Sequence, residues 1–485
     1  MSDDLKKKML GAVAWSSIDR FGQQAVQFVI GLILARLLSI ADFGLIGLVM
    51  VFSTLSFVLV ESGFGQALIR KQDANETDYN TVFYFNIFTS LLLYLVLYFS
   101  APAIAGFFNQ PQLIKLCRIV FLAILFNAFY LVPFIKLGKV IDFKTIAKVN
   151  LISTTLSGII GVTLAFAGFG VWALVAQQVL YHFIRMITFY SFVKWKPQLL
   201  FSFQIIRNFW GFSIHLLGTS VLNVIFNSLY TLILSRFYPI KLVGYYTQAN
   251  KLSETFNSSF QSVLVGSTYA LFVQIQHDNE RFLRVFREIA KKTSMVTFPI
   301  MLVLIAVAHP FIFVLLSEKW MPAVPYFQLL CLSSLFAPLY VLNMSALNSR
   351  GKSKITFRIE LIKKALILLS VVICFNFGFI VMLWGYILAC FIAYLMSILY
   401  IKSDLNHYVK HQLFDFLGCI GIGTFIAICA FGLSFLINNN HVLLGSQIIL
   451  SAILYIFSIK LFFNDLYIQI FKFMSEKLAL LKKRI

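Results

Sequence analysis

The sequence predicts an all-α polytopic membrane protein of about fourteen transmembrane helices, built as two tandem six-helix bundles plus an extra C-terminal helix pair. Three observations lead there. The chain of 485 residues is 60% apolar and only 12% charged, with a mean hydropathy of +0.87, far from the make-up of a soluble domain. Apolar runs near the ~20 residues that a bilayer demands recur from end to end. Lys and Arg gather in alternate connections, the pattern that fixes membrane topology.

The first span, Gly11 to Gly47, carries an unusual polar face. Asp19, Arg20, Gln23, Gln24 and Gln27 interrupt it, and at ~100° per residue the last four share one stripe. Charged and amide side chains facing lipid are costly, so this face meets protein or water. It is either a helix–helix contact held by amides or the wall of a polar cavity.

Further runs follow at about 41–66, 80–102, 112–136, 146–167 and 170–193, then 207–236, 242–272, 293–316, 323–347, 357–377 and 379–401, and finally 413–436 and 442–463. The punctuation repeats. Ile33-Leu34-Ala35-Arg36, Ile40 and Gly44 are echoed by Ile233-Leu234-Ser235-Arg236, Ile240 and Gly244. Gln72, Asn75 and Glu76 match Gln276, Asn279 and Glu280, and Leu137-Gly138-Lys139 is similar to Arg350-Gly351-Lys352. An internal duplication of the kind transporters use accounts for this order. The expected divisions are 1–205 and 206–402 for the two bundles, 403–464 for the helix pair and 465–485 for a basic tail. In that tail Ile468, Phe471, Met474, Leu478 and Leu481 alternate with lysines as in an interfacial amphipathic helix.

About thirty Lys and Arg fall in one set of connections and four (Arg36, Arg236, Lys241, Lys319) in the other. Both termini are therefore expected in the cytoplasm. Six helices per bundle place the pseudo-two-fold axis along the membrane normal. The formal charge of +21 follows this topology, so nucleic acid is not an expected partner. The opposite connections are short and offer no domain for a catalytic site. No cleavable signal, P-loop, nucleophile elbow or metal-ligand spacing stands out. His407 and His411 read as solvated loop residues and His309 as local packing. The six cysteines lie in apolar runs and read as unpaired thiols. Neither enzyme nor bound metal or cofactor is expected.

Other polar side chains inside apolar runs mark candidate sites. Helix 8 presents Asn250, Lys251, Glu254, Asn257, Ser258 and Gln261 within ~120°, with Lys251 and Glu254 spaced to pair. Helix 7 carries His215, Thr219, Asn223, Asn227 and Thr231, and helix 6 Gln178, His182 and Arg185. Helix 4 opens with Lys115 and Arg118, and Glu61 ends helix 2. Arg185, Glu61 and Lys115 lie near helix ends, where snorkelling accounts for them equally well. Together the stripes predict a cleft between the bundles lined by Arg20, Gln23, Gln24, Gln27, Arg118, His215, Asn223, Asn227, Lys251, Glu254, Asn257 and Gln261. Cations and amides suit a substrate with phosphate and hydroxyl groups. Asp19, Glu61 and Glu254 are candidates for coupling to H⁺ or Na⁺.

The segments WSSIDRFGQQAVQFVIGLILARLLSIADFGLIGLV, ESGFGQALIRKQ, DYNTVFYFNI, GFGVWALVAQQ and GYYTQANKLSETFN resemble the Wzx-type polysaccharide-transporter flippases of the multidrug/oligosaccharidyl-lipid/polysaccharide superfamily. The resemblance covers nearly the whole chain. It implies export of undecaprenyl-pyrophosphate-linked oligosaccharide units (for O-antigen, capsule or exopolysaccharide) across the bacterial inner membrane by alternating access. Such a protein would act as a monomer, in inner-membrane lipid and beside the polysaccharide polymerase or ligase machinery. Its rivals are a drug/cation antiporter of the same superfamily, which would prefer an acidic cleft, a flippase for peptidoglycan precursors, and a membrane-embedded polymerase or ligase, which would need a large outer loop.

Overall fold

Apolar runs broken by short polar connections give eighteen α-helices in a computed structural model that describes residues 3–61, 63–405 and 409–462. No strand occurs among the described residues. The amphipathic tail and His407 lie outside them, as do the side chains of His215 and His411.

Two compact units divide the chain, Met1–Thr247 and Gln248–Ile485. The first holds α1 (Asp3–Leu37), α2 (Ile40–Glu61), α3 (Phe64–Arg70), α4 (Glu76–Phe107), α5 (Leu113–Val120), α6 (Leu122–Lys139), α7 (Phe143–Phe166), α8 (Val171–Phe192), α9 (Phe203–Phe237) and the start of α10 (Ile240–Ile275). The second continues with the rest of α10, α11 (Asn279–Ala306), α12 (Ala308–Leu316), α13 (Val324–Ser334), α14 (Ala337–Ser349), α15 (Ser353–Cys374), α16 (Phe379–Leu405), α17 (Val409–Gly432) and α18 (Asn440–Phe462).

Local chemistry sets the helix starts. Asn75 caps α4 in a capping box with Asp78, while Asp142 and Asp278 accept the Thr145 and Arg281 amides at the starts of α7 and α11. Each supplies an acceptor to a backbone N–H that the first helical turn leaves unpaired. At the α1–α2 corner the Ser39 amide and hydroxyl both donate to Asp42. The sequence echo has a structural counterpart. Helices α1 and α9 are each 35 residues long, and α1 ends at Leu37 and α2 begins at Ile40, as α9 ends at Phe237 and α10 begins at Ile240.

Ten helices or helix pairs among the described residues are long and apolar enough to cross a membrane, so the chain is a multi-pass membrane protein. Four more long helices, α1, α8, α10 and α15, stand outside those ten. Each carries charged or amide side chains along its length. The six cysteines are free thiols, with Cys117, Cys331 and Cys419 buried.

In the first unit α1 packs on α7, α7 on α8, α6 on α4 and α8, and α2 on α9. A core of Phe64, Leu68, Val82, Phe83, Val132 and Ile135 ties α3, α4 and α6 together. In the second unit α11 packs on α17, α15 on α16, and α17 on α18.

Candidate functional site

The polar stripe of α1 divides between two environments. Asp19 accepts from Gln23 Nε2 at 2.8 Å and from Asn150 Nδ2 of α7 at 3.1 Å. Tyr181 of α8 reaches Gln23 Oε1 at 3.5 Å. Asp19 and Gln23 therefore join α1 to α7 and α8 through amides, the alternative to a cavity wall. Arg20 and Gln27, turned ~60–80° farther round the helix, are exposed, and Gln24 is half-buried. On α9, Asn223 and Asn227 are exposed.

A second polar group of this unit is assembled from three helices. Arg185 of α8 donates to the Tyr130 hydroxyl of α6 at 3.0 Å, and its guanidinium lies 4.6 Å from the centre of that ring. His182 Nδ1 is 3.0 Å from the same hydroxyl, and Phe57 of α2 stacks on the imidazole at 4.7 Å. Arg185 Nε is buried with no hydrogen-bond partner. Rather than snorkelling to a helix end, the arginine is held inside the unit by aromatic faces and a hydroxyl.

Beside this group opens a cavity of about 580 Å³ lined by Glu61, Gln66, Arg185 and Ser220 with the apolar Val58, Leu131, Phe134 and Leu217. Glu61 is exposed into it, and Arg185 and Asn127 act on it electrostatically. Gly63 makes the turn that brings α3 round this cavity. Its φ of 74° is left-handed, and a Cβ there would stand 2.9 Å from the Ser213 backbone of α9, so both conformation and space favour glycine.

Arg118 sits elsewhere. Its guanidinium lies over the Tyr98 ring at 4.4 Å on α4, and Lys115 is exposed.

In the second unit α10 carries a hydrogen-bonded ladder: Gln261 Nε2 donates to Asn257 Oδ1 at 2.9 Å, and Asn257 Nδ2 to Glu254 at 3.4 Å. The spacing that would pair Lys251 with Glu254 is not used, since no ion pair joins them among the described residues. Both are exposed. The ladder lines a cavity of about 250 Å³ together with Tyr340, Lys363, Tyr386 and Cys390. Tyr340 donates to Glu360 at 2.6 Å, and Lys363 lies 4.6 Å from the Tyr340 ring.

Within each unit the structure thus gathers part of the predicted set, Asp19 with Gln23 and Glu254 with Asn257 and Gln261. It adds Tyr130, Glu360, Lys363 and Tyr340. The i,i+3 spacing of Glu360 and Lys363, at the start of the apolar run 357–377, was the available signal for two of these.

A family model described as "Polysaccharide biosynthesis protein" matches residues 33–325. The teichuronic acid biosynthesis protein TuaB of Bacillus subtilis is 25% identical over 356 residues, covering 73% of this chain and 74% of that one. The succinoglycan biosynthesis transport protein ExoT of Rhizobium meliloti is 29% identical over 321 residues, 66% of this chain and 65% of that one. Among solved structures, the lipid II flippase MurJ in an inward closed conformation superposes with a TM-score of 0.75 at 16% identity, over 94% of this chain and 99% of its own. That likeness establishes the fold.

Proposed function

Since the chain belongs to the polysaccharide biosynthesis protein family and is a membrane transporter rather than an enzyme, we propose that it flips undecaprenyl-pyrophosphate-linked oligosaccharide units across the bacterial inner membrane by alternating access. The observation that carries this reading is where the polar side chains lie. Arg20, Gln24 and Gln27 lie within α1, Asn223 and Asn227 within α9, and Asn250, Lys251 and Glu254 within α10, all long helices. A polar glycan crossing ~30 Å of hydrocarbon needs such a lining, and a purely structural membrane protein does not.

In this reading α1, α8, α10 and α15 cross the membrane too, which makes fourteen crossings with both termini in the cytoplasm. Residues 1–205 and 206–402 form six-helix bundles about an axis along the membrane normal, 403–464 the extra pair and 465–485 a basic interfacial tail. Arg20, Gln24, Gln27, Asn223, Asn227 and Lys251 line the path of the head group while the polyprenyl chain stays in lipid. Coupling to H⁺ or Na⁺ falls to Glu61 and Glu254, which open on cavities, rather than to Asp19, whose carboxylate is engaged by amides. The protein acts as a monomer beside the polymerase or ligase that consumes its product.

Deleting the gene and assigning lipid-linked sugars to each membrane face tests this. Accumulation on the cytoplasmic face with loss of surface polysaccharide is the expected result. Units that reach the outer face unpolymerised would transfer the role to an enzyme, and normal glycan with altered drug tolerance would make the protein an antiporter.

A further inference from the structure

The cavity between α2, α6, α8 and α9 holds one carboxylate and one guanidinium that do not pair with each other. Glu61 and Arg185 both line it, yet no ion pair joins them among the described residues. Arg185 cannot swing freely. It is bonded to Tyr130 and flanked by the Tyr130, Phe134 and Phe189 rings, which leaves Nε buried and unsatisfied. Buried polar atoms without partners are uncommon, and this one belongs to a guanidinium that lines the cavity.

Resting on the flippase reading, we infer that this cavity is a subsite for an uncharged sugar ring of the glycan, not for its pyrophosphate. The charge balance decides between the two. A phosphate drawn to Arg185 would meet the Glu61 carboxylate in the same space, where like charges repel strongly. A sugar hydroxyl donates to the carboxylate and accepts from the guanidinium in one pose, and each such bond is charge-assisted. Gln66 and Ser220 add neutral donors and acceptors, and Phe134 gives the C–H face of a ring an aromatic surface. At about 580 Å³ the space falls in the range of ~300–1,000 Å³ usual for small-ligand sites. The cationic positions Arg20 and Lys251, exposed and with no carboxylate bonded to them among the described residues, remain for the pyrophosphate.

The test compares two probes on the purified full-length protein: the lipid-linked oligosaccharide extracted from the deletion strain, and undecaprenyl pyrophosphate without sugar. Two variants are measured against the parent chain. Glu61→Gln keeps the shape and removes the charge, and Ser220→Phe fills the cavity from α9 while leaving both charged groups in the chain. Both are expected to weaken binding of the sugar-bearing lipid about tenfold, the loss of one charge-assisted hydrogen bond or its equivalent, and to leave the bare pyrophosphate unchanged. Equal weakening of both probes, or no change in either variant, overturns the subsite. A parent protein with no preference for the sugar-bearing lipid overturns it as well. The flippase reading is judged separately, by the membrane face on which the deletion strain accumulates the lipid. Unchanged melting temperatures identify the variants as folded.

Discussion

Gly44 of α2 lies against the Ile240 carbonyl of α10, and Gly244 of α10 lies against the Ile40 carbonyl of α2. The contact is reciprocal between positions 200 residues apart. A Cβ on either glycine would overlap the opposing oxygen, and one on Gly47 would come within 2.7 Å of the Thr247 hydroxyl. Two helices approach here at backbone distance, which only glycine allows.

Gly44→Ala and Gly244→Ala should each lower the melting temperature, by the equivalent of about 1–3 kcal/mol for forced overpacking. Gly106→Ala and Gly138→Ala, where a Cβ would meet nothing within 4 Å, should be neutral or stabilising, because alanine favours the helix. Thermal melts of the four variants in one detergent check this. Equal behaviour of all four would refute the close crossing.

Asp19 is predicted to hold α1 against α7 and not to carry an ion. Asn150→Ala should destabilise by about 1 kcal/mol, since the half-buried Asp19 acceptor loses one of its two amide partners, while Asp19→Asn should leave export per folded molecule unchanged. Surface polysaccharide normalised to the amount of folded protein is the measurement. An Asp19→Asn protein that folds but does not export would return the residue to the coupling mechanism.

The bearing of the sequence on the fold differs from its bearing on the site. Periodicity and length located the long helices, including α9 and α10 to within a few residues, because burial in lipid demands uninterrupted apolar runs. It also showed that Asp19, Arg20 and Gln23 are polar residues inside such a run. It did not show that Asp19 and Gln23 turn toward α7 and α8 while Arg20 turns away, because a helical angle does not say which neighbour stands at it. The Arg185–Tyr130 bond spans 55 residues, and a lone tyrosine in an apolar helix carries no local mark of an arginine across from it.

Lys251 and Arg20 are exposed and lack ion-pair partners among the described residues, so replacing them removes charge without orphaning a buried group. Lys251→Ala and Arg20→Ala should therefore reduce export severely while the yield of folded protein stays near that of the parent chain. Unaltered surface polysaccharide in both variants would remove them from the translocation path.

The connection between α8 and α9 is fastened to the start of α4. Trp195 Nε1 donates to Glu76 at 2.9 Å, Lys136 Nζ pairs with the other oxygen of that carboxylate at 2.7 Å, and Lys136 also lies over the Tyr79 ring. The Gln198 and Ser202 amides donate to Asn80 and Thr81. Trp195 is buried against Phe83, whereas the Glu76 side chain is 48% exposed, so packing rather than the ion pair should dominate. Trp195→Ala is expected to cost about 3–5 kcal/mol, as large-to-small changes of a buried aromatic do. Glu76→Gln, which keeps an acceptor for Trp195, should cost under about 1 kcal/mol, and that small loss should vanish in 1 M salt, where the Debye length falls to ~3 Å. Melting the two variants at low and high salt separates the contributions. A Glu76→Gln loss as large as that of Trp195→Ala, or one insensitive to salt, would show that the carboxylate and not the indole holds the connection.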